Sequence, residues 1–105
     1  MMTLTQFSRI TKALADPRRF EILEAIAAAD ELACSALVEQ FPICQATVSH
    51  HIKELANADL IVVRREGQHC YYQFCPEVLG EYIAQLQRRT IGKQLQAAKP
   101  EAIAR

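Results

Sequence analysis

Four cysteines, three histidines and a polar stretch between residues 45 and 53 carry the chemistry open to this 105-residue chain. The cysteines are Cys34, Cys44, Cys70 and Cys75, and no two of them form Cys-x-x-Cys. That excludes a zinc ribbon and a thioredoxin-type redox motif. Cys44 is set apart by its position ahead of an expected helix. The unpaired N–H groups of a helix start stabilise a thiolate, which favours modification or metal binding at that sulfur. Cys34 and Cys70 fall on expected inner faces, where cysteine packs as a small hydrophobe. Cys75 precedes Pro76 and suits either a cap or a packing role. Nucleophilic catalysis finds little support. His50 and His51 lie six and seven residues beyond Cys44 on the same expected helix, so a direct contact is unfavourable. No glycine-rich phosphate loop and no Ser/His/Asp constellation on a recognisable scaffold is present. The chain is therefore not expected to be an enzyme.

These residues must be positioned by elements legible in the hydrophobic pattern. A first helix is predicted over Leu4–Ala15, opened by a Thr3/Gln6 capping box, with Leu4, Phe7, Ile10 and Leu14 as its apolar stripe. Asp16-Pro17 ends it and starts a second helix, because Asp caps well and Pro is tolerated at the first helical position. Phe20, Leu23, Ile26 and Ala27 would be its buried face. Ser35–Gln40 reads as a short third helix, broken by Phe41-Pro42-Ile43. A fourth starts at Cys44 or Gln45 and runs to about Ala58, with Val48, Ile52 and Leu55 inward. Gln45, Thr47, Ser49, His50 and Lys53 then face outward. Two helices joined by a short turn, the second with a polar outer face, form the helix-turn-helix pattern. Leu60–Val63 changes period to that of a strand, Glu66-Gly67-Gln68 is a turn, and His69–Phe74 is a second strand. A hairpin carrying Arg64 and Arg65 directly after a helix-turn-helix is a wing. Pro76 opens a last helix, expected to reach about Ala98.

The fold expected is thus mainly α with a small β-hairpin wing, in the order helix-helix-helix-helix-strand-strand-helix. Half of the residues are hydrophobic and 23% are charged, which suits one packed domain over residues 1–98 with a frayed tail over 99–105. The last helix is longer than so small a domain needs. Leu4, Phe7, Leu79, Tyr82, Ile83 and Leu86 are therefore the dimerisation candidates. No stretch approaches the roughly 18 apolar residues of a membrane span, and Met1–Arg9 lacks the apolar core of a secretion signal. A cytoplasmic location with free thiols is expected. Twelve basic and twelve acidic residues cancel, which argues against a basic nucleic-acid coat. They are segregated, however. Residues 1–19 carry four bases and one acid, and residues 20–42 five acids and no base, which leaves room for a local basic face.

Three blocks in order resemble the ArsR/SmtB family of winged-helix repressors. They are Ala13-Leu14-Ala15-Asp16-Pro17-Arg18-Arg19-Phe20-Glu21-Ile22-Leu23, then Gln45-Ala46-Thr47-Val48-Ser49-His50-His51-Ile52-Lys53-Glu54-Leu55, then Arg64-Arg65-Glu66-Gly67-Gln68-His69-Cys70-Tyr71-Tyr72. The resemblance covers about residues 10 to 86. It implies a homodimeric repressor that binds double-stranded operator DNA and releases it when an inducer, often a metal or metalloid ion, binds. By position it implies that Gln45, Thr47, Ser49 and His50 read the major groove. Gln pairs bidentately with adenine, and the hydroxyls meet bases or phosphates. Lys53, Arg64, Arg65 and Gln68 would hold phosphates. His51, on the Val48/Leu55 side, and Arg19 are expected to be structural.

The inducer site does not carry over. Arsenic- and cadmium-type members place ligands in Glu-Leu-Cys-x-Cys-x-Leu, whereas this chain reads Glu31-Leu32-Ala33-Cys34-Ser35-Ala36-Leu37. Zinc-type members use Asp, His and Glu on the last helix, yet residues 77–98 hold no His and, as acids, only Glu77 and Glu81. No cofactor is therefore assigned. Trivalent arsenic or antimony, or thiol oxidation, is the inducer chemistry that cysteines allow. Cys44, paired with Cys34 across the helix-turn-helix, is the candidate switch, in a position where the family usually has Ser. A winged-helix module used for protein contacts, without DNA binding, is the alternative reading.

Overall fold

Thr3 closes the first turn of helix α1 (Leu4–Ala15), its hydroxyl accepting from the Gln6 N–H at 3.1 Å. The reciprocal half of the capping box is not made. Gln6 Nε2 instead donates to Asp59 Oδ2 at 2.9 Å, tying α1 to the loop after the fourth helix. Asp16 caps α2 (Pro17–Ala27) by accepting from the Arg19 N–H, and Pro17 occupies the first turn as expected. A computed structural model describes residues 2–92 of the chain. The tail over 99–105 and the last helix beyond residue 92 lie outside them.

The remaining elements are β1 (Leu32–Ala33), α3 (Cys34–Gln40), α4 (Gln45–Asn57), β2 (Ile61–Glu66), β3 (His69–Phe74) and α5 (Pro76–Arg89). Four helices, a hairpin and a closing helix follow the expected order. The hairpin becomes a three-stranded antiparallel sheet, order β1-β3-β2, because the short β1 joins the free edge of β3. Two residues carry no readable period, so β1 was not marked by the pattern. The β2–β3 register runs from Ile61 opposite Phe74 to Glu66 opposite His69. That leaves a two-residue turn at Gly67-Gln68, and Gly67 has φ +62°, the left-handed conformation that a tight hairpin needs.

Ile10, Ile22, Ile26, Leu37, Val48, Leu55 and Leu60 form the fully buried centre. The buried face of α2 is Ile22, Leu23 and Ile26 rather than the face through Phe20 and Ala27, and Phe20 is 42% exposed. α5 ends at Arg89, where Thr90 leaves the helical conformation. The expected uninterrupted run to Ala98 is therefore broken.

Candidate nucleic-acid interface

α4 is an amphipathic helix seated on its Val48, His51, Ile52 and Leu55 face. Its seating is fixed by one polar contact. Arg19 Nε donates to His51 Nδ1 at 3.2 Å, while Arg19 Nη1 reaches the Lys12 carbonyl at 3.5 Å. α1, α2 and α4 are thus locked together through one guanidinium, as expected for Arg19 and His51. His51 must be neutral to accept this bond. Burial pushes its pKa below the ordinary imidazole value, with Asp16 opposing the shift and Arg19, His50 and Arg18 adding to it.

With that face buried, Gln45, Thr47, Ser49, His50 and Lys53 are all exposed. They are not equivalent. Residues 45, 49 and 53 recur at i, i+4 and so form one row, which faces the wing. A groove of about 600 Å³ is lined by Ser49, Lys53 and Arg65, and a neighbouring one of about 620 Å³ by Gln45, Ser49, Arg65 and Gln68. The expected helix and wing residues therefore converge. Thr47 and His50 line neither groove. The Thr47 hydroxyl meets the Cys44 Sγ at 3.1 Å.

Arg64 and Arg65 separate, because adjacent residues of a strand point to opposite faces. Arg65 faces the grooves. Arg64 Nη2 and Nε donate to the two carboxylate oxygens of Glu31 at 2.8 and 3.1 Å. Its Nη1 donates to Glu66 at 2.6 Å, and its guanidinium lies 4.5 Å from the Tyr71 ring centre. The hydrogen bond from Arg64 also holds the Glu31 carboxyl below its usual pKa. Arg64 thus braces the wing against the β1 segment. Strand alternation was the signal that distinguishes the two arginines.

Cys44 is exposed at the N-cap of α4 and makes no side-chain capping bond. The Thr47 hydroxyl, followed by the backbone N–H groups of the first turn, holds its thiol below the usual value. Cys34 and Cys70 are half-buried and line one groove with Tyr72, whose hydroxyl pKa is pushed up by burial first and by the two thiols next, while Cys44 lines neither groove. The structure therefore groups Cys34 with Cys70 rather than with Cys44. No cluster of three or more His, Cys, Asp or Glu residues fit to hold a metal occurs among the described residues.

Of the dimerisation candidates, Leu4, Ile83 and Leu86 are exposed and Phe7 and Leu79 are half-buried. Tyr82 is buried within the protomer. It stacks on Phe7 with ring centres 4.7 Å apart and its hydroxyl meets Thr11 Oγ1 at 2.8 Å. Ile91, not marked from the sequence, is exposed beside them. No helix among the described residues is long and apolar enough to cross a membrane.

Comparison with known proteins adds independent findings. A helix-turn-helix domain family matches residues 14–64. An arsenical resistance operon repressor of Staphylococcus xylosus is 39% identical over 84 residues, covering 80% of this chain and 79% of that protein. Its counterpart from Staphylococcus aureus is 35% identical over 85 residues, covering 81% of each. A crystal structure of an ArsR family transcriptional regulator superposes with a TM-score of 0.80 at 20% identity, over 93% of this chain and 98% of that one. A homodimeric winged helix-turn-helix DNA-binding domain from Mycobacterium bovis, a possible ArsR-family regulator, gives a TM-score of 0.67 at 27% identity. It covers 91% of this chain and 89% of its own.

Proposed function

The chain belongs to the ArsR family of winged helix-turn-helix transcriptional regulators, and from that premise we propose that it is a homodimeric repressor of double-stranded operator DNA. The observation that carries the proposal is the convergence of the Gln45, Ser49 and Lys53 row of α4 with Arg65 and Gln68 of the wing. In this reading α4 enters the major groove. Gln45, Thr47, Ser49 and His50 contribute amides, hydroxyls and an imidazole toward base edges. Lys53 and Arg65 neutralise phosphates, Gln68 donates to the backbone, and Arg64 holds the wing in place. Release is by an inducer acting on cysteine thiols, a trivalent metalloid or an oxidant. The arsenical resistance repressors among its relatives support thiol-directed sensing. The site differs from their usual Cys-x-Cys, since Ala33 and Ser35 occupy those positions.

Fluorescence anisotropy on the DNA upstream of its own gene tests the proposal. Binding is expected to weaken steeply with salt, because phosphate neutralisation releases counterions. Each lost phosphate contact lowers the slope of log K against log salt by about 1, so Arg65→Ala in both protomers lowers it by about 2. Salt-insensitive or absent binding would leave the protein-contact module as the better reading.

A further inference from the structure

Cys34 and Cys70 stand in a relation that the helix-turn-helix function does not use. β1 pairs with β3 in antiparallel register, Leu32 opposite Tyr72 and Ala33 opposite Tyr71. Cys34 follows Ala33 and Cys70 precedes Tyr71, so the two cysteines flank the last pair of that ladder, Cys34 already as the first residue of α3. A disulfide spans Cα atoms roughly 4.4–6.8 Å apart, a reach open to two residues that flank the same ladder pair and line the same groove. Tyr72, on the same face of β3 as Cys70, lines the same groove as both cysteines, and burial first and the two thiols next push its hydroxyl pKa up. Both sulfurs are half-buried against the core, yet both line the groove between α4 and the wing, and Cys70 lines its neighbour as well.

We propose that Cys34 and Cys70 are a dithiol that peroxide closes to a disulfide, pinning the start of α3 to the central strand of the wing. Cys70, reached from two grooves, reacts first. Its thiolate attacks one peroxide oxygen, the O–O bond breaks, and a sulfenic acid and one water result. The Cys34 thiolate then attacks that sulfur, the S–O bond breaks, and the second water leaves. Two thiols lose two electrons and two protons, and one hydrogen peroxide becomes two waters. Closure shifts the side chains packed around Tyr72, which lines the same groove as both cysteines. Tyr72 is only 5% exposed, so this movement repacks the floor of the grooves where Ser49 and Arg65 face each other. Loss of DNA affinity on closure rests on the repressor function proposed above. It gives the thiol-directed inducer a site other than Cys44.

The test uses the full chain, reduced and then given stoichiometric hydrogen peroxide, read by non-reducing peptide mapping and by anisotropy on the upstream DNA. Expected are a peptide bridged through Cys34 and Cys70 and a fall in affinity of about tenfold, reversed by a dithiol reductant. Cys34→Ser and Cys70→Ser should each bind DNA when reduced and keep that affinity in peroxide. Cys44→Ser should respond like the parent. A bridge through Cys44 or Cys75, oxidation confined to Cys44, or no bridge overturns the pair. A Cys34–Cys70 bridge that leaves affinity unchanged overturns the switch. If the reduced protein binds no DNA, the repressor reading falls, while the bridged peptide still decides the pair.

Discussion

Arg64 is held by the carboxylates of Glu31 and Glu66 and by the face of Tyr71, so its charge is already compensated within the protomer. Arg64→Ala is expected to lower stability only slightly, because exposed ion pairs are screened by solvent. It should leave the salt slope of DNA binding nearly intact. Arg65→Ala should do the reverse. A salt slope that falls equally in both variants would show that Arg64 leaves Glu31 to meet phosphate. Cys44 offers a second test at this scale. It occupies the N-cap of α4, where a thiol is a weaker acceptor than a hydroxyl for the N–H groups of the first turn. Cys44→Ser should therefore raise the unfolding free energy, read as a higher midpoint in urea denaturation. A decrease would mean that the thiol packs better than its exposure indicates. At this scale the types of the candidate residues were legible and their partners were not. Nothing in the order of residues 31 to 72 announces that Glu31 will neutralise Arg64, or that Tyr72 will line a groove with two thiols.

The junction of α2 with α4 depends on His51 remaining neutral, because its Nδ1 accepts from Arg19. Its folded pKa lies below the ordinary 6.5. The unfolded chain therefore takes up this proton first as pH falls, and stability drops from about pH 6.5 downward until the folded imidazole also protonates. Asp16, whose carboxyl is held low chiefly by the Arg19 N–H, loses its contribution only below its ordinary 3.8. The two windows are thus separate. Thermal melts between pH 8 and pH 5 should show the midpoint falling with acid in the parent protein, and His51→Gln should flatten that slope. Equal slopes would assign the effect to other groups. The elements were readable where the pattern was long. The α1 boundaries, the Asp16-Pro17 start of α2 and the full span of β3 all follow from periodicity and caps, which act within a few residues. β1 was not readable, because two residues carry no period and become a strand only through pairing with β3. The inward face of α2 was displaced to Ile22 because Phe20 and Ile22 compete for the core, and only the packed neighbours decide between them.

Among the described residues, several large apolar side chains of the first and last helices remain exposed. Leu4 is 62% exposed, Ile83 49%, Leu86 41% and Ile91 59%, all on or beside α1 and α5. Phe7 and Tyr82 stack and join the two helices into one layer. The two helices thus present these side chains together to a second copy. Twofold symmetry sets each residue of such a face against the same patch of the partner. A carboxylate introduced there is repeated on the partner and loses water on both sides. Ile83→Glu combined with Leu86→Glu should convert the proposed dimer into an 11.8 kDa monomer by sedimentation, with an unchanged far-ultraviolet circular dichroism spectrum, since neither side chain is buried in the protomer. Phe20→Glu is the control. Phe20 is 42% exposed and belongs to α2 rather than to α1 or α5, and its replacement should leave the assembly intact. Two recognition helices one DNA turn apart bind as a linked pair, and removing one of them forfeits about a hundredfold or more in affinity. The double variant should therefore lose operator binding by at least that factor while Phe20→Glu retains it. A double variant that stays dimeric would move the interface off the α1–α5 layer. A monomer that still binds operator at full strength would separate assembly from DNA recognition.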